Sequence, residues 1–320
     1  MKKTLFIVFT ICLALCTALS MVGCSGGNEP CTHANVGDWI VDKTATCTVL
    51  GEKHKECTDC GEMIEQEKLL ADHNFVSGIC SVCKCKQGTA GLEIVKVDGK
   101  DEYAVKGIGT ATETEIVIPT SYSNLPVTTI LKDAFKGTSI ESVEIQDSIV
   151  SIGESAFENC ASLSDLVFGR NSALSEIGKN AFKGCVAFSS LELCPSVQTL
   201  GEGAFNGCVG LYEISFGSDS KLENIESKAF EGCVMLQSIE IPSTLKKVGG
   251  YAFNGCVKLE EIELPSGVMV VEAYAFFGCT KLTAYCGIVE IEKPSGWDSK
   301  WLDLDLEGNR ISVDWNTFQK

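Results

Sequence analysis

Cysteines and histidines concentrate in one stretch near the start of the chain. Two Cys-x-x-Cys pairs, Cys57–Cys60 and Cys80–Cys83, are separated by 19 residues. Each pair offers two thiolates to one side of a tetrahedral ion, and this spacing is typical of a structural zinc ribbon. All three histidines of the protein lie in the same stretch: His33, His54 and His73. The sequence therefore predicts a small separate module over residues 31–86 with a structural zinc site.

The ligand set within this module stays open at the level of sequence. One set uses both pairs, that is Cys57, Cys60, Cys80 and Cys83. Another adds Cys31 and His33 to the first pair and His73 to the second. Disulfides are the competing interpretation, because an exported chain forms them readily. In either case the cross-links hold together a module that has few large apolar residues of its own.

The first residues have the pattern of an export signal. Lys2 and Lys3 precede an apolar run from Leu5 to Ile11. A signal peptide likewise has a positively charged region followed by a hydrophobic region. The run ends at Met21-Val22-Gly23-Cys24, which resembles the lipobox of bacterial lipoproteins. That resemblance implies a cleaved signal peptide over 1–23, a lipid-modified Cys24 and a tether over 24–30. An uncleaved transmembrane helix is the alternative, for which the apolar run is short.

The elements that follow are organised by a repeat. The motif Ala-Phe-x-Gly-Cys occurs seven times, with Thr138 in place of cysteine in the first copy and Asn159 in place of glycine in the second. Successive phenylalanines are 22, 25, 23, 25, 23 and 23 residues apart. A period in the low twenties is typical of a leucine-rich-repeat solenoid. No repeat can bury its own apolar face, so the copies must stack on one another.

A single repeat predicts the local structure. Leu236, Ile239 and Ile241 alternate with polar residues, as in a strand with one buried face, and Pro242 ends the strand. The fold class predicted is a β-rich leucine-rich-repeat solenoid, right-handed and horseshoe-like, with short strands, turns and short helical segments. Its predicted parts are a linker over 87–91, an N-terminal cap over 92–130, the repeats over 131–286 and a C-terminal hairpin cap over 287–320. The N-terminal cap includes a hairpin with an Asp98-Gly99 turn.

Several motifs in this region carry a family resemblance. They are the run from Tyr103 to Thr110, Ile118-Pro119, the run from Leu125 to Thr128 and the Ala-Phe-x-Gly-Cys copies themselves. Together they resemble the BspA-type leucine-rich-repeat surface proteins over roughly residues 90–300. The resemblance implies exposure on a bacterial cell surface and binding of proteins, including host matrix or other cells. It does not imply an enzyme.

The charge of the chain limits its partners. The formal net charge is −17, and removal of residues 1–23, with two lysines and no acid, makes it −19. A protein this acidic is a poor candidate for binding nucleic acid or an anionic membrane surface. No histidine occurs between Gly91 and Lys320, so no Ser-His-Asp or Cys-His arrangement is expected within the repeats.

Outward positions of the predicted strands carry most of the remaining functional signal. Of twelve such positions, two per repeat, seven are acidic and none is basic: Glu144, Asp165, Glu192, Glu213, Glu240, Glu261 and Glu263. They predict a negative stripe that recognises a basic protein segment, with ordinary solvation of an exposed sheet as the alternative. Like charges opposed across strands are mildly costly, which favours a functional role.

The sequence as a whole therefore predicts a lipid-anchored, extracytoplasmic protein-recognition or adhesion protein with no enzymatic activity. The alternatives are a surface scaffold without a specific ligand and a zinc-dependent enzyme that uses the N-terminal module. The six cysteines of the repeats are predicted to be small buried core residues, with a disulfide ladder as the alternative. They are Cys160, Cys185, Cys208, Cys233, Cys256 and Cys279.

Overall fold

A computed structural model describes residues 32–43, 51–69, 75–77, 79–81, 86–287, 293–303 and 310–315. The chain divides into two compact units, residues 1–71 and 72–320. The predicted signal peptide, the tether with Cys24, and Cys31, His73 and Cys83 lie outside the described residues. Within the described ranges, the structure has no helix long and apolar enough to traverse a lipid bilayer.

The first unit contains a three-stranded antiparallel sheet. Its strands are β1 (Ile40–Lys43), β2 (Gly51–Glu56) and β3 (Met63–Leu69), in that order across the sheet. The turn from β2 to β3 carries Cys57 and Cys60. Among the side chains described in this unit, only His54 and Cys57 are buried. The sheet therefore lacks an apolar core among these residues, as the composition predicts.

The second unit is dominated by a long ladder of short strands. In chain order its strands are β6 (Glu93–Lys96), β7 (Tyr103–Gly107), β10 (Leu125–Ile130), β12 (Ser151–Ile152), β14 (Glu176–Ile177), β16 (Thr199–Leu200), β18 (Asn224–Ile225), β20 (Lys247–Val248), β22 (Val270–Val271) and β24 (Gly296–Trp297). Across the ladder the order is β24-β22-β20-β18-β16-β14-β12-β10-β7-β6. The pairs are parallel except for the β6–β7 hairpin, which forms around the Asp98-Gly99 turn. In addition, β9 (Ser121–Tyr122) pairs antiparallel with β10.

The other side of each repeat contributes to three separate parallel sheets. These are β8 (Glu115–Val117), β11 (Ser142–Ile145) and β13 (Asp165–Phe168); then β15 (Ser190–Glu192), β17 (Glu213–Ser215) and β19 (Ser238–Ile239); then β21 (Glu261–Leu264), β23 (Thr283–Cys286) and β25 (Ser312–Trp315). A separate hairpin of β4 (Phe75–Val76) and β5 (Ile79–Cys80) also belongs to the second unit. The sequence placed these last two strands in the cysteine-rich module.

The repeat phenylalanines form the centre of the core. Their rings stack from one repeat to the next, with centroids 5.0–5.6 Å apart and planes within 13° of parallel: Phe135, Phe157, Phe182, Phe205, Phe230, Phe253 and Phe276. Trp301 closes the row by packing edge-on against Phe276 at 6.1 Å. All eight side chains are buried, so the repeats share one continuous interior.

The motif glycine is explained by the backbone. Its φ is positive in every copy, and Asn159 takes the same conformation with φ 60°. Glycine adopts this left-handed region without a steric penalty, and asparagine tolerates it better than most residues. At this position the amide donates to a carbonyl of the next repeat at 2.7–2.8 Å in six copies, as Gly137 donates to Glu158. The motif thus provides a further line of hydrogen bonds between repeats.

The leucine-rich-repeat β-solenoid predicted from the sequence is confirmed. Between the described strands the chain forms turns, where the sequence also allowed short helical segments. The buried Leu174 and Leu222 place the two extra residues of the longer repeats in loops before those leucines. At the C-terminal end, β24 and β25 extend the ladders in parallel, and Asp303 and Arg310 form an antiparallel bridge.

Candidate binding surfaces and cysteine sites

The predicted acidic residues lie on one exposed face of the second unit. We call this surface the acidic face and define it by Glu144, Asp165, Glu192, Glu213, Glu240, Glu261 and Glu263. Six of the seven are exposed, and the residues between them, such as Leu191 and Ile262, point into the core. The face is built by strand alternation, because one buried apolar residue per strand forces its neighbours outward.

The strand register changes the electrostatic interpretation of this face. Asp165 lies opposite Ser142, Glu213 lies between Ser190 and Ser238, and Glu263 lies opposite Tyr285. In each described pair, a neutral residue faces the acid. The expectation that like charges oppose one another across strands is therefore wrong for these pairs. The acids of neighbouring strands are instead diagonal, at about 7–8 Å, which is within a Debye length at physiological salt.

Glu144 differs from the other members of the acidic face. Its carboxylate lies 2.7 Å from Lys86 Nζ and accepts a hydrogen bond from Gln146 at 3.0 Å. The side chain is only 18% exposed. The hydrogen bond to Glu144 raises the pKa of Lys86 above its ordinary value. Glu144 is therefore already neutralised within the protein, and the available negative charge begins at Asp165.

The opposite end of the acidic face has a negative potential. The charge of Glu261 raises the pKa of Tyr285 above its ordinary value, and Asp314 and Glu263 add to this effect. A phenol surrounded by carboxylates resists ionisation, because its phenolate would add a further negative charge. The negative charges of several acids on neighbouring strands thus act together on Tyr285.

Acids on other faces of the repeats are paired with lysines. Glu158 lies 2.8 Å from Lys136 and 3.6 Å from Lys183, and the hydrogen bond from Lys136 lowers its pKa. Lys247 bridges Glu226 and Glu272 from adjacent repeats. Within the described part of the chain, no cation lies in ion-pair range of Glu192, Glu213, Glu240 or Glu263. Positive charge is therefore concentrated away from the acidic face.

A row of exposed valines accompanies the repeats and was missed in the sequence. In four repeats the residue after the motif cysteine is a valine that is 37–42% exposed. We call these residues the valine row: Val186, Val209, Val234 and Val257. Tyr212 and Met235 lie near them in the chain and are also exposed. The recurring Gly-Cys-Val is visible in the sequence, but the pattern alone does not decide whether the turn exposes or buries its valine.

A second unpredicted feature is an aromatic cluster at the C-terminal repeats. Tyr251 and Tyr274 stack at 5.3 Å, and Phe277 lies edge-on to Tyr274 at 5.7 Å. The Lys300 ammonium lies 5.5 Å from the centre of the Tyr274 ring, in the range of a cation–π interaction. Both tyrosines have positive φ, at a position where earlier repeats carry smaller residues such as Asn180 and Gly203.

The repeat cysteines are buried thiols. Each is fully buried and donates its S–H to the carbonyl of the phenylalanine one repeat earlier, for example Cys208 to Phe182 at 3.2 Å. Burial raises the pKa of the Cys233 thiol to about 12. None of the six forms a disulfide. A thiol that cannot ionise is inert as a nucleophile, so these residues contribute to packing.

The predicted metal ligands are brought together only in part. The ligand atoms of His33, Cys57 and Cys60 all lie within 4.8 Å of one another. Cys80 is buried in β5 of the second unit. His54 is engaged elsewhere, with its ring nitrogens 2.7 Å from Asp42 and 3.0 Å from Glu56.

Comparison with known proteins agrees with this architecture. The BspA type leucine rich repeat region matches residues 128–227 and 216–289 in six copies, which span slightly more than half of the chain. No curated protein shows significant sequence similarity to the chain.

Three solved structures illustrate the structural similarity. The T. pallidum leucine-rich-repeat protein TpLRR is 26% identical, with a TM-score of 0.57 over 62% of this chain and 91% of that one. The pneumococcal vaccine antigen PcpA is 18% identical over 70% and 69%, with a TM-score of 0.46. A Bacteroides capillosus leucine-rich-repeat protein is 31% identical over 32% and 84%, with a TM-score of 0.30. The T. pallidum structure supports the same solenoid fold.

Proposed function

This chain belongs to the proteins with BspA-type leucine-rich repeats, and on that basis we propose that it is a lipid-anchored bacterial surface protein that binds another protein. Leucine-rich-repeat proteins generally mediate protein binding, because a solenoid presents an extended surface without needing an active site. The finer features of the proposal are an adhesive role, an anchor at Cys24 and a partner on host matrix or on other cells. Its partner-binding surface is the acidic face.

One observation supports this choice of surface above all. Among the described residues, carboxylates on the acidic face from Asp165 onward have no lysine in ion-pair range, although lysines pair with acids on other faces of the same repeats. If solvation alone governed the charges, acids and lysines would mix on every face. A one-sign surface attracts a basic segment and raises its association rate, while like-charged partners are repelled.

The valine row supplies the apolar contact surface that the carboxylates of the acidic face lack. Exposed rim charges change the association rate more than the affinity, whereas apolar and aromatic contacts dominate binding energy. Each valine precedes the first outward position of the next strand by four residues, so these four repeats present both features. In this proposal the acidic face guides a basic partner, and Val209, Val234 and their neighbours contribute to holding it.

The experiment is a matched pair of charge reversals in the full-length protein displayed on cells. The test variant carries Glu192→Lys, Glu240→Lys and Glu263→Lys. The control carries Glu176→Lys, Asp219→Lys and Glu223→Lys, which are exposed acids outside the acidic face and change the net charge equally. Adhesion to immobilised basic matrix proteins is measured at low and at physiological salt.

The test variant is expected to lose adhesion at least tenfold, and the control less than twofold. Raising the salt should weaken the wild type toward the test variant, because screening shortens the reach of the surface charges. Equal adhesion of the two variants would contradict the acidic face as the binding surface. Equal adhesion that also matches cells lacking the protein would favour the surface scaffold without a specific ligand.

The anchor is tested independently of the partner. Cys24→Ser removes the thiol that the lipid would modify, so the protein should lose incorporation of a labelled fatty acid and move from the membrane fraction to the medium. Cys286→Ser is the control, since Cys286 is buried in β23. A wild-type protein without fatty-acid label, or a label that persists in Cys24→Ser, would contradict the anchor.

A further inference from the structure

Three potential metal ligands converge at the turn between β2 and β3. Cys57 is 1% exposed, and Cys60 and His33 are partly buried beside it. Their ligand atoms lie within 4.8 Å of one another. Two thiols and one imidazole are the donors that zinc prefers in structural sites.

One distance within this group fits a shared ion. Cys60 Sγ lies 3.6 Å from His33 Nδ1. For a tetrahedral Zn²⁺ with Zn–S of about 2.3 Å and Zn–N of about 2.0–2.1 Å, the two ligand atoms should be about 3.6 Å apart. The sulfur and nitrogen are therefore already at the separation that coordination by one zinc ion requires.

The other ring nitrogen of His33 is engaged by a carboxylate. Nε2 lies 3.2 Å from Glu62 Oε2. A histidine that ligates a metal usually donates its second ring N–H to a carboxylate or carbonyl, which fixes the tautomer and orients the ring. With the proton on Nε2, the lone pair of Nδ1 is directed toward the two thiols. Glu62 thus has the position of a residue that orients a metal ligand.

The backbone holds the two segments of this site together. Val36 and Cys57 form an antiparallel bridge, and Thr58 N–H donates to the Asn35 carbonyl at 2.9 Å. Gly61 N–H donates to the Cys57 carbonyl at 2.8 Å with φ 74°, which closes the turn that carries both cysteines. His33 itself has φ 51°, an uncommon conformation for a residue with a side chain. Such strain at a ligand position is consistent with a functional constraint.

We propose that His33, Cys57 and Cys60 bind one structural Zn²⁺, with Glu62 orienting the histidine. This inference is independent of the partner-binding proposal. It favours one of the two ligand sets that the sequence left open, the set that adds His33 to the first cysteine pair. Binding deprotonates each ligating thiol and releases its proton to solvent.

The proposal also explains how the first unit is stabilised. Its described side chains include only two buried residues, His54 and Cys57, so hydrophobic burial contributes little. Small domains without a sufficient core depend on disulfides or on a metal, and structural zinc contributes folding free energy directly. The metal would join the segment around His33 to the β2–β3 turn.

The test uses the full-length protein, purified under reduction, with Zn²⁺ and Co²⁺ as probes. Zinc content, the cobalt absorption bands that report thiolate ligands, and hydrogen exchange of residues 51–69 are measured in each variant. The ligand variants are His33→Ala, Cys57→Ser and Cys60→Ser. Cys80→Ser is the matched control, because it removes a buried cysteine of the other pair.

Zinc-dependent protection of residues 51–69 is expected in the wild type and in Cys80→Ser, and it should be lost in all three ligand variants. Glu62→Gln should keep one ion but bind it about 10–100-fold more weakly, which separates ligation from simple misfolding. Protection that persists in His33→Ala, or that is lost in Cys80→Ser, would overturn the ligand set. Failure of the reduced wild type to take up Zn²⁺, with disulfides at Cys57 and Cys60 in the protein as isolated, would overturn the metal.

Discussion

The two units place the same residue type in opposite surroundings. In the solenoid, each motif cysteine is fully buried beneath a phenylalanine carbonyl of the neighbouring repeat, and burial raises the pKa of the Cys233 thiol. In the first unit, Cys57 and Cys60 lie beside the His33 imidazole, whose other ring nitrogen contacts Glu62, on a sheet with almost no buried apolar residues among those described. The solenoid thiols pack in the core, whereas the thiols of the first unit lie in surroundings that suit metal ligands.

The difference shows that the source of stability decides the role of cysteine. A stack of repeats buries apolar surface cumulatively, so its thiols can remain weakly polar core groups. A short sheet without a core needs a cross-link, such as a metal ion or a disulfide. Five expected outcomes follow, from the largest effect to the smallest.

Metal removal should separate the two units most strongly. A zinc chelator under reducing conditions is expected to abolish hydrogen-exchange protection of residues 51–69, because structural zinc supplies on the order of 10 kcal/mol in small metal-dependent domains. Protection of the solenoid strands should not change. Equal loss of protection in both units would remove the distinction drawn between them.

Removing one ring from the phenylalanine stack should lower the stability of the solenoid alone. Phe205 lies between Phe182 and Phe230 at 5.3 and 5.6 Å, so Phe205→Ala leaves a cavity in the shared core. We expect a loss of about 3–5 kcal/mol in the free energy of unfolding, measured by urea denaturation. Phe205→Leu, which keeps more of the volume, is the control and should cost less. A loss below about 1 kcal/mol for Phe205→Ala would mean that the repeats do not share one interior.

Alkaline pH should weaken the solenoid through its thiols. The folded pKa of Cys233 is raised to about 12 from 9.0, so the protonated thiol favours the native state. That contribution is complete below pH 9 and is lost as the pH rises from 9 toward 12. Comparing the unfolding free energy of wild type and Cys233→Ala between pH 8 and 11 isolates this thiol from other titrating groups.

Thiol labelling provides the second readout of the same difference. In metal-free protein at pH 8, in which the solenoid stays folded, iodoacetamide should modify Cys60 much faster than any motif cysteine, since the reactive species is the thiolate. Labelling of Cys233 at the rate of Cys60 would contradict a buried, un-ionised thiol.

The smallest expected effect concerns the turn before each motif. Lys228 has φ 62°, while Asn180 and Gly203 occupy the same position in other repeats. Lys228→Asn should stabilise the solenoid by about 0.5–1 kcal/mol, because asparagine tolerates this left-handed conformation better than lysine. Lys221→Asn changes the same charge at a residue outside the positive-φ set and serves as the control for thermal unfolding. A larger gain from Lys221→Asn would contradict the conformational explanation.

Much of the fold followed from the sequence because its signal is repeated. Each inward position recurs about every 23 residues, so a single repeat that is interpreted correctly predicts the structure of the others. The acidic residues were placed outward for the same reason, through alternation around buried residues such as Leu191 and Ile262. Even the exception Asn159 follows, since it stands where the backbone requires positive φ.

The sites were less predictable because they depend on contacts between distant segments. Glu144 belongs to the acidic set by spacing, yet a lysine 58 residues earlier in the chain neutralises it. The valines after the motif cysteines recur in the sequence, but only the conformation of the turn decides that they are exposed to solvent. One ligand set inferred from the sequence joins His33 to Cys57 and Cys60, the other uses no histidine, and spacing gave no reason to prefer either set.

The sequence by itself determined the period, the buried stack and the sign of the exposed strand face, because those properties are set by side-chain alternation within each repeat. Only the tertiary structure decided which charges are paired, which apolar residues are exposed and whether a histidine approaches the thiols of Cys57 and Cys60. The physical reason is one of range. Alternation and period act over a few residues along the chain, whereas ion pairing, burial and ligand convergence act through space between segments that the sequence keeps apart.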